Sequence, residues 1–243
     1  MAQKIYENHG KAALSFKDPT QLSGRYFSQK KDERNILIDI INKLKLINED
    51  RCLDIGCGVG NILIPMSFLV HEIVGIDHPN CLNILKKRYN GENIKLIGEN
   101  FMDYQNTGLF DKILVYSVMQ SLPSMEDVFL FIEKVIQNLK PNGKALIGDI
   151  PNRSLKNRFL SSDKGKEFHK NWLKNKVEQQ SFGDNDEAVN KQFVENVSPI
   201  FYNDIKILKI IDFIRRKGFS AYLLPQSPDL PFGNTREDIL IIK

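Results

Sequence analysis

A doubly wound α/β domain is the fold class this sequence predicts, on three observations. From Arg51 onward, short apolar runs alternate with stretches of helical periodicity. A glycine loop, Gly56-Cys57-Gly58-Val59-Gly60, stands between the first such run and the first helical stretch. An acid, Asp77, closes the next run about 20 residues on, the spacing of a nucleotide-binding βαβ unit. Such alternation implies parallel strands joined by helical crossovers on both faces of one sheet.

Taken in order, residues 32–46 read as an amphipathic helix with Ile36, Leu37, Ile40, Ile41 and Leu44 on its apolar face. Residues 52–55 are a strand. Residues 61–69 are a helix with Pro65 in its first turn, where backbone N–H groups lack partners anyway. Strands follow at 72–76, 94–97 and 112–118, with helices at 79–89 and 125–139. The turn Pro141-Asn142-Gly143 precedes a fifth strand at 144–148. The segment 151–199 breaks the rhythm: it is polar, holds the one tryptophan, Trp172, and contains the turn-prone run Gly183-Asp184-Asn185-Asp186. A helix at 202–217 with Gly218 as its C-terminal cap, then strands at 219–224 and 237–242, close the chain. The expectation is a single domain over 1–243, with an N-terminal helical cap at 1–50 and an inserted substrate lid at 151–200.

Composition sets the outer bounds. The 243 residues are 42% hydrophobic and 26% charged, an ordinary globular balance. No apolar run reaches the roughly 20 residues that span a bilayer, and the first residues lack the apolar core of a signal peptide. A cytoplasmic protein is expected, with no membrane partner. Cys52, Cys57 and Cys81 show neither a C-x-x-C pair nor zinc spacing, so they read as buried free thiols and no metal is expected. The net charge of +4 suits an acidic ligand but does not call for nucleic acid.

The glycine loop is the most informative stretch. Its spacing, Gly56-x-Gly58-x-Gly60, departs from the G-x-G-x-x-G of dinucleotide dehydrogenases. Asp54, just before it, would repel a pyrophosphate and suits the ammonium of a methionine moiety. Asp77 can accept from two ribose hydroxyls. In these features the sequence resembles the class I, Rossmann-like S-adenosylmethionine (SAM)-dependent methyltransferases. The match runs over residues 51–148: Leu53-Asp54-Ile55-Gly56-Cys57-Gly58-Val59-Gly60 corresponds to the family's first motif and Val74-Gly75-Ile76-Asp77 to its second. Ile97-Gly98-Glu99-Asn100-Phe101 resembles the third, and Phe110 to Val118 the fourth. The resemblance implies a seven-stranded sheet with an antiparallel last strand, and SAM as cofactor. It implies cofactor contacts from Asp54, Gly56, Cys57, Gly58, Gly60, Asn61, Asp77, His78 and Ser117. Asn100 or, one register away, Glu99 would take the adenine amino group, with Phe101 against the ring.

The ligand of an open α/β sheet lies beyond the carboxyl ends of its parallel strands. Loops 117–121, 149–153 and 225–236 therefore face the methyl group, and Arg25-Tyr26-Phe27 closes the other side. No general base declares itself. His169 in the insertion and Tyr26 are candidates; Gln120-Ser121 stands where many family members carry a histidine. Arg153 and Arg236 are the candidate acceptor-binding residues, with Gln120, because a guanidinium holds carboxylate or phosphate through a bidentate fork. Arg158 reads as a solvated surface residue, and Asp149 as either a pocket group or a strand-end cap. Segments 149–153 and 230–238 also resemble methyltransferases of bacterial surface-polysaccharide and capsule biosynthesis, some of which O-methylate a phosphoramidate. The expected activity is methyl transfer to a small, anionic acceptor. A sugar hydroxyl with a His or Tyr base, or SAM binding without catalysis, are the alternatives. Nothing in the sequence fixes the oligomeric state.

Overall fold

The computed structural model describes residues 2–15, 18–23, 25, 27–105, 108–180 and 200–243. Seven strands form one sheet: β1 (Arg51–Ile55), β2 (Glu72–Ile76), β3 (Ile94–Ile97), β4 (Phe110–Tyr116), β5 (Leu139–Pro151), β6 (Ser220–Pro225) and β7 (Arg236–Ile242). Their order is β3-β2-β1-β4-β5-β7-β6. The ladders from β3 to β5 are parallel, and β7 runs antiparallel to both β5 and β6. The predicted doubly wound sheet with an antiparallel last strand is therefore the observed one. Strand order reverses between β1 and β4, the switch point where ligands of such sheets bind.

Helices cover both faces. On one, α3 (Glu33–Leu44), α4 (Leu63–Ser67) and α5 (Pro79–Arg88) bury Ile36, Ile40, Leu44, Leu63, Met66 and Leu85 against β1, β2 and β4. On the other, α6 (Met125–Gln137) and α9 (Asp204–Arg216) bury Val128, Ile132, Ile207 and Ile210. Each such side chain removed from water contributes about 1.5–3 kcal/mol. The predicted apolar stripe of α3 is thus the face that packs; Lys45, at φ 55°, ends the helix in the left-handed conformation.

Among the described residues, four further α-helices lie outside this sandwich: α1 (Ala2–Ser15), the short α2 (Pro19–Leu22), α7 (Arg153–Ser161) and α8 (Asp163–Gln180). Among the described residues no helix is long and apolar enough to cross a membrane.

Several boundaries shift by a few residues, and two of the shifts have a plain cause. The helix expected over 61–69 spans only Leu63–Ser67. Gly60 at φ 85° delays its start, and the Ser67 hydroxyl bonds back to the Ile64 carbonyl at its end. The turn expected at 141–143 lies inside β5, because the chain end pairs there: the Asn142 amide donates to the Lys243 carbonyl and the Lys243 amide to the Gly143 carbonyl.

Candidate functional site

The carboxyl edge of the sheet gathers the ends of β1, β2, β3, β4 and β5 and the start of β7. After β1, Gly56, Gly58 and Gly60 hold φ of 75°, 55° and 85°, a left-handed conformation that other residues adopt at a cost. Space sets a second demand at Gly56, where a Cβ would stand 2.5 Å from Val118 of the β4 loop. A Cβ at Gly58 would meet no atom within 4 Å, so this side of the loop is an open cradle. The three cysteines are free and buried, as expected. Cys57 turns its sulfur toward β2, so it meets a ligand with backbone alone.

Asp77, at the end of β2, is 6% exposed. One carboxylate oxygen accepts the Gly58 amide at 2.6 Å and the other the His78 amide at 2.6 Å. These bonds fix the carboxylate plane and leave lone pairs on both oxygens. Asp54 is 3% exposed, and burial, with the charge of Asp77 adding to it, pushes its carboxyl up to about 8. Two buried acids within one glycine cradle fit a ligand that carries a cation and a diol, and SAM offers both. Asp77 would hold the ribose and Asp54 the ammonium.

Other expected cofactor residues are engaged with protein atoms. The Asn61 amide donates to the Pro19 carbonyl and accepts from Arg88 at 2.7 Å. His78 caps α5 through Nδ1, which accepts the Asn80 amide at 3.2 Å, while Nε2 faces Glu7 at 3.4 Å. The Asn100 oxygen accepts the Met102 amide at 3.0 Å and its amide nitrogen donates to Gln3 at 3.4 Å. Phe101 packs into the core, edge-on to Phe131 and stacked with Tyr104, rather than standing free for an adenine.

On the acceptor side, Ser117 and Asp149 end β4 and begin the last turn of β5, both at φ 60°. Positive φ on non-glycine residues stores strain and gathers at functional sites. Between Ile147 and Ile150 the β5–β7 ladder slips: Gly148 and Asp149 oppose Asp238 alone, a bulge of two residues against one. Asp238 is fully buried and fills the bulge. One of its oxygens accepts the Asp149 amide at 2.9 Å and Gln226 at 2.9 Å; the other accepts Lys43 at 2.7 Å. Burial raises its carboxyl to about 6, with Lys43 pulling the other way.

The bulge aims Asp149 at its neighbours. Ser117 donates to it at 2.5 Å and in turn accepts from Arg25 at 3.2 Å; Arg236 Nε lies 3.7 Å away. Arg25 is 4% exposed at its side chain and also faces Glu33 at 3.4 Å. A guanidinium, a hydroxyl, a carboxylate and a second guanidinium thus follow one another along the edge. Of the two readings the sequence leaves to Asp149, the structure favours the pocket group, since it belongs to this network. Asp238 has only a weak sequence signal, the second of two acids directly before the apolar run of β7. The sequence reading sets Arg25 at the closing side of the site but gives it no partner; only the fold brings it to Ser117 after β4.

Arg236 sits opposite Pro151 in the β5–β7 register, over the Phe232 ring at 4.8 Å. Arg153 opens α7, exposed, with its guanidinium over Phe201 at 5.6 Å. The two expected arginines therefore share one corner. Arg158 pairs with Asp204. Gln120 donates to the Ser117 carbonyl at 2.7 Å, and its buried side-chain oxygen has no partner among the described residues. His169 is exposed on α8, stacked on Trp172 at 6.1 Å. Tyr26 and residues 181–199 of the expected lid lie outside the described residues.

Comparisons with known proteins agree with this geometry. A family model described as "Methyltransferase domain" matches residues 28–187. A ubiquinone biosynthesis O-methyltransferase of Bradyrhizobium diazoefficiens is 30% identical over 152 residues, covering 59% of this chain and 54% of that protein. The chain spans about half the length of the curated relatives it matches. Phosphoethanolamine N-methyltransferase 1 of Haemonchus contortus superposes at a TM-score of 0.70 and 13% identity, over 99% of this chain and 48% of that one. The N-methyltransferase NodS of Bradyrhizobium japonicum superposes at 0.54 and 13%, over 98% of each. With a family match over residues 28–187 and the sheet order described above, the chain belongs to the methyltransferase-domain family and carries the class I SAM-dependent methyltransferase fold.

Proposed function

We propose that this chain transfers a methyl group from SAM to an oxygen of a small, anionic acceptor. The observation that carries the reading is the pair of buried acids in the glycine cradle. Asp77 presents its carboxylate to a ribose diol, and Asp54, whose buried carboxyl holds its proton up to about 8, would release that proton to pair with an ammonium. Gly56, Gly58 and Gly60 let the backbone approach the ligand between them. When bound, SAM supplies an electrophilic methyl carbon on a sulfonium. The chain's part is to align the acceptor with that carbon and exclude water. Ser117, Gln120 and the Asp149 turn stand on the side where the acceptor would enter.

An anionic acceptor is favoured by the corner that Arg153 and Arg236 share. The phosphoethanolamine enzyme, of like fold, was crystallised with phosphoethanolamine, a ligand that carries a phosphate. The oxygen nucleophile is favoured by the curated relatives named as ubiquinone biosynthesis O-methyltransferases. A capsule or other surface-glycan acceptor, a phosphoramidate among them, rests only on the resemblance of segments 149–153 and 230–238. A neutral hydroxyl deprotonated by His169 or Tyr26 is the competing chemistry. Three buried free thiols suit a reducing, cytoplasmic setting.

Calorimetry with SAM and with NAD tests the cofactor. SAM is expected to bind at micromolar Kd, on the order of −8 kcal/mol; NAD binding with no SAM binding would sink the reading. For the acceptor, once SAH formation identifies one, Arg153→Ala and Arg236→Ala are each expected to lower kcat/KM at least tenfold. That is about 1.4 kcal/mol, with SAM binding intact. Lysine at either position should rescue only in part, lacking the planar fork. If both alanine variants match wild type while His169→Ala is dead, the acceptor is neutral.

A further inference from the structure

Helix α1 lies outside the matched family segment, yet it is seated on the residues that the proposed function gives to the cofactor. The Tyr6 hydroxyl donates to the Asp77 carbonyl at 3.4 Å, and its ring lies 4.9 Å from that of His78. Burial beside Asp77 keeps that hydroxyl protonated. The Asn80 amide donates to the Gly10 carbonyl at 3.0 Å. Gly10 is in direct contact with His78: a Cβ there would stand 2.2 Å from the imidazole. Gln3 takes the Asn100 amide. The inner face of α1 is thus fitted to the ends of β2 and β3.

His9 is the residue of this face that points at chemistry. A ring nitrogen of His9, an oxygen of Asp77 and the sulfur of Cys81 all lie within 4.8 Å of one another, His9 half-buried and the other two buried. A hydroxyl oxygen making two hydrogen bonds of about 2.8 Å, at an angle near 120°, spans about 4.8 Å between its partners. The carboxylate and the imidazole therefore stand close enough for one ligand hydroxyl to reach both. Asp77 has lone pairs to accept, and a neutral imidazole can donate or accept.

We propose that α1 is the cover of the adenosine half of the cofactor, and that His9 is a cofactor-binding residue that shares one ribose hydroxyl with Asp77. The inference rests on the proposed SAM site. It makes ribose recognition two-sided: the sheet supplies the carboxylate, and a helix outside the sheet supplies the imidazole. A ligand with a ribose hydroxyl seats the helix, and the seated helix shuts water out of the ribose and adenine edge.

The test uses S-adenosylhomocysteine and its 2′-deoxy and 3′-deoxy forms, titrated calorimetrically into the full chain. His9→Ala, a favourable helix residue in place of a half-buried histidine, is expected to weaken S-adenosylhomocysteine about fivefold, the worth of one neutral hydrogen bond. Against one of the two deoxy forms the substitution should cost nothing, because the hydroxyl it serves is gone. Gly10→Val, which forces α1 off His78, should weaken all three ligands. A loss that is equal across the three ligands for His9→Ala, or no loss at all, overturns the proposal. So does a gain in affinity from Gly10→Val, which would make α1 an obstruction. A soft divalent cation is the other ligand this set could take. Zinc bound by wild type and lost in His9→Ala, with S-adenosylhomocysteine affinity unchanged, also overturns it. A wild-type chain that binds none of the three nucleosides fails the proposed function itself, which keeps the two failures apart.

Discussion

Asp54 is the residue whose environment departs furthest from water while its chemistry asks for a charge. Burial and the neighbouring Asp77 raise its carboxyl from the ordinary 3.8 to about 8. Between those values the folded, ligand-free chain holds a proton that the unfolded chain has released. The stability this group contributes is thus full below about pH 4 and is lost as pH climbs through 8, by up to about 1.4 kcal/mol per unit. Asparagine has no proton to lose. Denaturant unfolding from pH 5 to pH 8 should therefore show ligand-free wild type falling relative to Asp54→Asn. Two parallel profiles would mean that Asp54 stays ionised throughout. Asp238 follows the same sign on a smaller scale, its carboxyl raised to about 6. Its partner Lys43 stays beside it through that range. The difference between the two acids is one of partners: Asp238 has Lys43, Gln226 and the Asp149 amide, whereas Asp54 faces the like charge of Asp77.

Elements show how far the sequence can be read. Strand β2 falls where its apolar run puts it, because a buried parallel strand has few ways to be written, and the edge strand β3 follows its shorter run of alternating apolar residues. The glycine loop is legible for the same reason: three positive-φ positions in five residues leave little but glycine. What escapes is set by contacts distant in sequence. The start of β5 is fixed by the chain end, which pairs with Asn142 and Gly143 from about 100 residues away. The bulge at Gly148–Asp149 exists because Asp238 on another strand fills it, so neither segment announces it alone. Phe101 reads in sequence as an aromatic beside the adenine acid, but the core between Phe131 and Tyr104 claims its ring. Helix α1 carries no strong stripe that names its partner. Its fit to Asp77, His78 and Asn100 depends on a glycine, Gly10, whose purpose shows only against the imidazole that touches it.

At the scale of the whole molecule, the site is assembled from parts far apart in sequence. The glycine cradle comes from β1, Asp77 from β2, the helix seated on it is α1, and the neighbouring edge comes from the ends of β4 and β5 with Arg25 and Arg236. Two acids meet in the cradle, and the charge of Asp77 adds to burial in raising the Asp54 carboxyl to about 8. A ligand that is cationic at one end and hydroxylated at the other relieves this, and does so only in the folded chain. Binding to the folded state alone adds about 2.7 kcal/mol of stability when the free ligand is at 100 times its Kd. For a chain of this size that is a rise in Tm of about 5–10 °C. Scanning calorimetry with saturating SAM should record such a rise, and 5′-methylthioadenosine, which lacks the ammonium, should give a smaller one. The difference between them should shrink in Asp54→Asn, since the ammonium then has no carboxylate to meet. If SAM and methylthioadenosine stabilise wild type equally, Asp54 does not receive the ammonium, and its burial serves the loop instead.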